Sequence, residues 1–160
     1  MAVRKAVPFL CAKPPAMGKP LRIVRSRDIK ATSRRAFELI ADLGTSADKI
    51  WPFKSQPFQR TAGPLEVGKS EEWHGPFHAR LERLEPPKEL VWRLLTDGFI
   101  GTHGFYLSDK GEKLTHVEHR LEVELETPEA EQLWRRAEDA HERSIAGLFD
   151  LLAKVAARKS

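Results

Sequence analysis

The sequence predicts an α+β fold: a curved antiparallel sheet of about seven strands wrapped around one long C-terminal helix. Three observations carry this. A strand-like run and a short helical stretch come first. From Phe58 to Leu125, alternating apolar and polar residues are cut at short intervals by turn signals. After Thr127, about thirty residues run without an internal proline and with helical spacing of the apolar positions.

The first strand is Leu21 to Ala31, with Leu21, Ile23 and Ile29 on one face. Thr32-Ser33 supplies an N-cap, and Arg34 to Leu43 reads as a short helix presenting Phe37, Ile40 and Ala41. Gly44 closes it, since glycine accepts the left-handed conformation found at helix ends. A second short helical segment is expected from the cap Thr45-Ser46 to Trp51, stopped by Pro52. Two short helices therefore follow the first strand. The strand region is punctuated by Gly63-Pro64, Gly68, Pro86-Pro87, Asp97-Gly98 and Asp109-Lys110-Gly111. In the last helix Thr127 is the cap and Pro128 the first helical residue. Trp134, His141, Ile145, Leu148, Leu152 and Val155 fall on one face. A single antiparallel sheet has one apolar face to cover, and this helix is the element available.

The 160 residues are 41% hydrophobic and 31% charged, which fits one folded domain and excludes disorder. No apolar run approaches the ~20 residues of a membrane-spanning helix. Cys11 is the single cysteine, so disulfide scaffolds and thiolate metal cages are excluded. The net charge of +4 is unevenly placed: residues 1–35 hold ten Lys/Arg against the lone acid Asp28, and the remainder holds 17 bases and 22 acids. With no aromatic residues interleaved and no nucleic-acid module, the basic segment reads as a solvated leader, and no nucleic-acid partner is expected. Residues 1–20, with four prolines and no acid, form that leader, and residues 21–158 form the domain. The apolar stretch after Arg4-Lys5 is short and broken by Pro8, which argues against a secretion signal and for the cytoplasm. Met17 is an alternative start of translation.

The chain resembles the START/Bet v 1-like (SRPBCC) superfamily, the helix-grip fold, and more narrowly its bacterial polyketide cyclase/dehydrase-like members. The resemblance runs from Leu21 to Ala156. It rests on Ser26–Ala31 leading into the helix, on Gly63-Pro64-Leu65-Glu66-Val67-Gly68 before Glu72-Trp73-His74-Gly75-Pro76, and on Leu84 to Trp92. Phe99-Ile100-Gly101-Thr102-His103-Gly104-Phe105 and the final helix complete it. The glycine-rich loop of the plant members is replaced by Glu66-Val67-Gly68-Lys69-Ser70, a departure from the plant type. The resemblance implies a cavity between sheet and helix for lipids, polyketides, sterols or aromatic compounds; some members catalyse cyclisation or dehydration, and many only bind and carry.

Histidines are the candidate polar groups of such a cavity. Phe99, His103, Phe105 and Leu107 share one strand face, as do Val117, His119 and Leu121 on the next strand. Asp109-Lys110-Gly111 as the hairpin loop places either Gly101 or His103 opposite His119, with the imidazoles direct or diagonal neighbours. His141 faces the same interior from the helix. His119, His103 and His141 are therefore candidates for general acid/base work or for hydrogen bonding to a ligand. The alternative for each is a core or rim histidine bonding a backbone group. Trp73, Phe77 and Leu81 are expected on one inner face and Trp92 with Leu94 on another, so Trp73, Phe77, Trp92, Phe105 and Ile145 join the histidines as ligand-binding candidates. Three imidazoles suit catalytic zinc, but no carboxylate is placed to orient them, and no metal or cofactor is predicted. Arg93, Tyr106 and the acids Glu118, Glu122, Glu124 and Glu126 fall on the outer face. Three functions stand open: a carrier or sensor of a small hydrophobic, partly oxygenated molecule; a cyclase or dehydratase using His119 or His103; and a co-chaperone-like interaction module. The chain is expected to be a monomer or homodimer.

Overall fold

Strand β1 (Lys19–Ile29) begins at Lys19 rather than Leu21, in a computed structural model that describes residues 18–158. Cys11, Met17 and most of the expected leader lie outside the described residues. Pro20 is tolerated because β1 is an edge strand, where a missing backbone N–H breaks no ladder on the open side. Helix α1 (Ser33–Ala41) follows, capped by the Thr32 hydroxyl, which accepts from the Arg35 N–H at 3.2 Å. It buries Ala36, Phe37, Leu39 and Ile40. Gly44 has φ +79°, and a Cβ there would meet the Phe58 ring at 2.6 Å.

The second short helix expected over Thr45 to Trp51 does not form; the segment is a series of turns. Asp48 is the reason. Its carboxylate accepts from the N–H groups of Gly44 (2.9 Å), Ile50 (2.9 Å) and Trp51 (3.0 Å), offering the backbone partners outside a helix.

The sheet continues through β2 (Phe58–Arg60), β3 (Glu71–His74), β4 (Phe77–Glu85), β5 (Glu89–Leu94), β6 (Phe99–Gly111) and β7 (Leu114–Leu125). All neighbours are antiparallel, in the order β1-β7-β6-β5-β4-β3-β2. The β6–β7 turn falls after Gly111 rather than at Asp109-Lys110-Gly111, with an irregularity between Asp109 and Gly111. Strong curvature needs close backbone approach, which Gly104 permits: a Cβ there would lie 2.6 Å from the Leu90 carbonyl oxygen.

Helix α2 (Pro128–Ala156) is capped by Thr127, whose hydroxyl accepts from the Ala130 N–H at 3.1 Å. It buries Trp134, Ile145, Leu148, Phe149 and Leu152, and packs against α1, β1 and β7. Arg25 and Arg27 of β1 pair with Glu142 (2.7 Å) and Asp150 (2.5 Å) of α2, so part of the N-terminal basicity is matched within the domain. No helix among the described residues is long and apolar enough to cross a membrane.

Candidate functional site

Because α2 leans on the β1–β7 side, the concave face of the other strands is left partly uncovered. The resulting cavity has a volume of about 910 Å³ and is bounded by the sheet, α1 and α2. Its wall is mainly apolar, with Trp92, Leu94, Phe105, Leu121, Ile145 and Leu148 among the lining residues. Across this wall runs a row of polar side chains.

The row starts at Glu72, which is 2% exposed and faces inward from β3. Its carboxylate Oε1 contacts Nε2 of His103 on β6. His103 Nδ1 lies 3.3 Å from His119 Nε2 on β7. The His119 ring is 5.6 Å from that of His141 on α2, which packs edge-on against Trp134 at 5.3 Å. A fourth imidazole, His74 of β3, stacks on Phe58 at 5.0 Å and meets His103 at 5.6 Å. The Nδ1 atoms of His74 and His141 are buried with no partner.

Burial disfavours the imidazolium form, and each imidazole lowers its neighbours. His74 is held at about 4 by burial, with neighbouring His103 adding to the shift against the opposing pull of Glu72. His141 is likewise held at about 4, first by burial and then by His103 and His74. His119 lies well below the ordinary imidazole range, through burial and its three histidine neighbours. These three are neutral near pH 7, each with one ring nitrogen that donates and one that accepts a hydrogen bond. Arg60, the cross-strand partner of Glu72, bonds the carbonyls of Ala41, Thr61 and Gly63; burial lowers its affinity for the proton.

His103, His119 and His141 thus line one cavity, together with Phe77, Trp92, Phe105 and Ile145. The register differs in detail: Phe105, not Gly101 or His103, is opposite His119, while His103 is opposite Leu121. The displaced turn accounts for the shift, and the two histidines are diagonal neighbours. Trp73 also borders the cavity, but it is 41% exposed and its ring stacks on His78 at 5.1 Å. Reading Trp73 to Leu81 as one strand put it inside, but Gly75-Pro76 is a two-residue turn that pairs His74 with Phe77 and Trp73 with His78. Paired residues share a face, so Phe77 brings His74 and Glu72 inward and leaves Trp73 outside. That turn was the signal by which Glu72 and His74 could have been found.

Glu72 also supplies the orienting carboxylate that the sequence reading lacked. Even so, among the described residues no group of three or more His, Cys, Asp or Glu side chains converges as a metal site. On the outer face, His116 bonds Asp28 at 2.6 Å, and Arg120 covers the Tyr106 ring at 3.9 Å. Arg93 pairs with Glu82 at 2.9 Å.

A seven-stranded antiparallel sheet gripping a C-terminal helix, with a hollow between them, defines the START/Bet v 1-like helix-grip fold. No protein-family model and no curated protein sequence matches the chain. Solved structures similar to it include protein Ms6760 from Mycobacterium smegmatis, with 13% identity and a TM-score of 0.64 over 88% of this chain and 93% of that one. A truncated norcoclaurine synthase from Thalictrum flavum has 9% identity and a TM-score of 0.64 over 92% of this chain and 100% of the other. The Aha1 dimer from Colwellia psychrerythraea has 16% identity and a TM-score of 0.57 over 88% and 99% of the two chains. At these identities the likeness is one of fold.

Proposed function

We propose that the cavity takes up one small, mainly apolar, partly oxygenated molecule of lipid, polyketide or aromatic type, and that the protein acts as its carrier or sensor. The observation that carries this reading is the cavity itself, whose mainly apolar wall carries the four imidazoles of His74, His103, His119 and His141. An imidazole nitrogen open to the cavity offers a ligand hydroxyl or carbonyl a hydrogen bond that fixes its orientation. The volume of about 910 Å³ falls within the ~300–1,000 Å³ typical of small-molecule sites. In this reading the protein uses no cofactor and no nucleic acid, and works in the cytoplasm as a monomer or homodimer.

A second reading, a cyclase- or dehydratase-type enzyme, draws on the neutral His119 and the presence of a synthase among the similar structures. His119 or His103 would then move a proton while His141 orients the substrate. The third reading, an interaction module working through its outer surface and basic arm, expects a filled core, which a cavity of about 910 Å³ does not favour. Native mass spectrometry of gently purified protein, followed by organic extraction, tests the proposal. A stoichiometric apolar compound that is lost in the His74→Phe/His141→Phe double variant supports it. Equal retention by that variant removes its basis. Turnover of the extracted compound, with a ~10²–10⁴-fold loss in His119→Ala, decides for the enzyme.

A further inference from the structure

The row Glu72–His103–His119 has a property beyond ligand holding. With Glu72 ionised, His103 donates Nε2–H to it and keeps Nδ1 as an acceptor. His119 then donates Nε2–H to His103 Nδ1, so its own Nδ1 carries a lone pair at the outer end of the chain. His103 bridges two partners through opposite nitrogens and His119 holds one, leaving its other nitrogen for a ligand, and such a chain can pass a proton along without storing an imidazolium.

We infer that Glu72, His103 and His119 form a proton relay that ionises an acidic O–H ligand, of phenol or enol type, bound against His119. The inference rests on the cavity being a ligand site. The ligand O–H proton goes to His119 Nδ1, and its O–H bond electrons remain on oxygen. The Nε2 proton of His119 moves to His103 Nδ1, and the Nε2 proton of His103 moves to the Glu72 carboxylate. At the end the ligand is an anion, Glu72 is a neutral acid, and both imidazoles are neutral with their tautomers reversed. One negative charge enters the step and one leaves it. His119 is the group that touches the ligand; His103 and Glu72 act through it. Arg60 from β2, His74 from β3, and Arg136 and His141 from α2 are the other titratable groups that line the cavity.

The arrangement explains why a carboxylate lies buried in an apolar cavity. A single buried imidazole would have to become charged to accept the proton, which burial opposes. Transferring the proton onward to Glu72 exchanges one buried anion for another and avoids a second charge.

The test uses the full chain, para-nitrophenol, and its methyl ether para-nitroanisole, which has no acidic proton. Binding is read by quenching of tryptophan fluorescence, Trp92 and Trp134 being in the cavity wall. Ionisation is read by the phenolate absorption band at a pH where free para-nitrophenol is neutral. We expect both probes to bind, the phenolate band to appear with the bound phenol, and the band to be lost in Glu72→Gln. Histidine ¹⁵N spectra of the wild type should show His103 and His119 protonated at Nε2 when free and at Nδ1 when para-nitrophenol is bound. This tautomer reversal needs no variant, so a misfolded Glu72→Gln leaves the proposal open to test. Binding of both probes with para-nitrophenol neutral and the tautomers unchanged overturns the relay and leaves the cavity reading standing. Failure of both probes to bind overturns both. A stoichiometric divalent metal held by His103 and His119 in the purified protein overturns the relay as well.

Discussion

His74 is surrounded by Phe58, Phe77 and His103, with a buried Nδ1 that bonds nothing. Replacing it by phenylalanine keeps the ring packing and removes the unpartnered nitrogen. We expect His74→Phe to leave stability unchanged or raise it by about 1 kcal/mol in urea denaturation, while weakening ligand retention. Opposite signs for stability and binding would mark a residue kept for its ligand. Titration gives a second prediction at this scale. His74 and His141 have folded values of about 4, below the ordinary value of 6.5, so the unfolded chain binds more protons between those limits. Their contribution is complete above pH 6.5 and is lost as pH falls toward about 4. The urea midpoint should drop across that window. His141→Gln should flatten the drop, and a midpoint independent of pH there would contradict the neutral, buried state of both rings.

At the scale of elements, curvature and helix placement set the size of the hollow. Gly104 lets β6 bend against β5, and a methyl group at that position meets backbone rather than a movable side chain. Gly104→Ala should cost ~1–3 kcal/mol in chemical denaturation, the range of overpacking. The Thr127 hydroxyl caps α2, and Thr127→Ala should cost ~1 kcal/mol by the same measurement. The Arg25–Glu142 pair also ties β1 to α2, but both side chains are about half exposed, so its double-mutant coupling should stay under ~1 kcal/mol. The cap and the core stripe hold α2; the surface pairs set little more than its azimuth.

For the whole molecule, the decisive feature is a cavity that the core does not fill. Ala140 on α2 lines it, close to His141. Ala140→Trp should occupy the space, abolish uptake of para-nitroanisole and leave the melting temperature unchanged or higher. If the variant still quenches on probe addition, the probe binds elsewhere. In the wild type, a ligand at a hundred times its Kd should stabilise the fold by ~2.7 kcal/mol, measurable as a rise in melting temperature.

The sequence by itself determined the order of elements, the long C-terminal helix and the inward set His103, His119 and His141. These follow from local periodicity and caps, which need no knowledge of distant contacts. A second short helix was also written in local signals at Thr45 to Trp51, but the Asp48 carboxylate captured the backbone N–H groups that a helix would have used. Only the tertiary structure decided that Glu72 and His74 point inward while Trp73 stays 41% exposed at the cavity's border. Inward and outward differ by one residue along a strand, and the parity was set by the Gly75-Pro76 turn pairing His74 with Phe77. The contact of Glu72 with His103 joins β3 to β6 across 31 positions of chain, so no local pattern could announce it. The open volume was equally beyond the sequence, because it depends on where α2 leans across the curved sheet rather than on which residues line it.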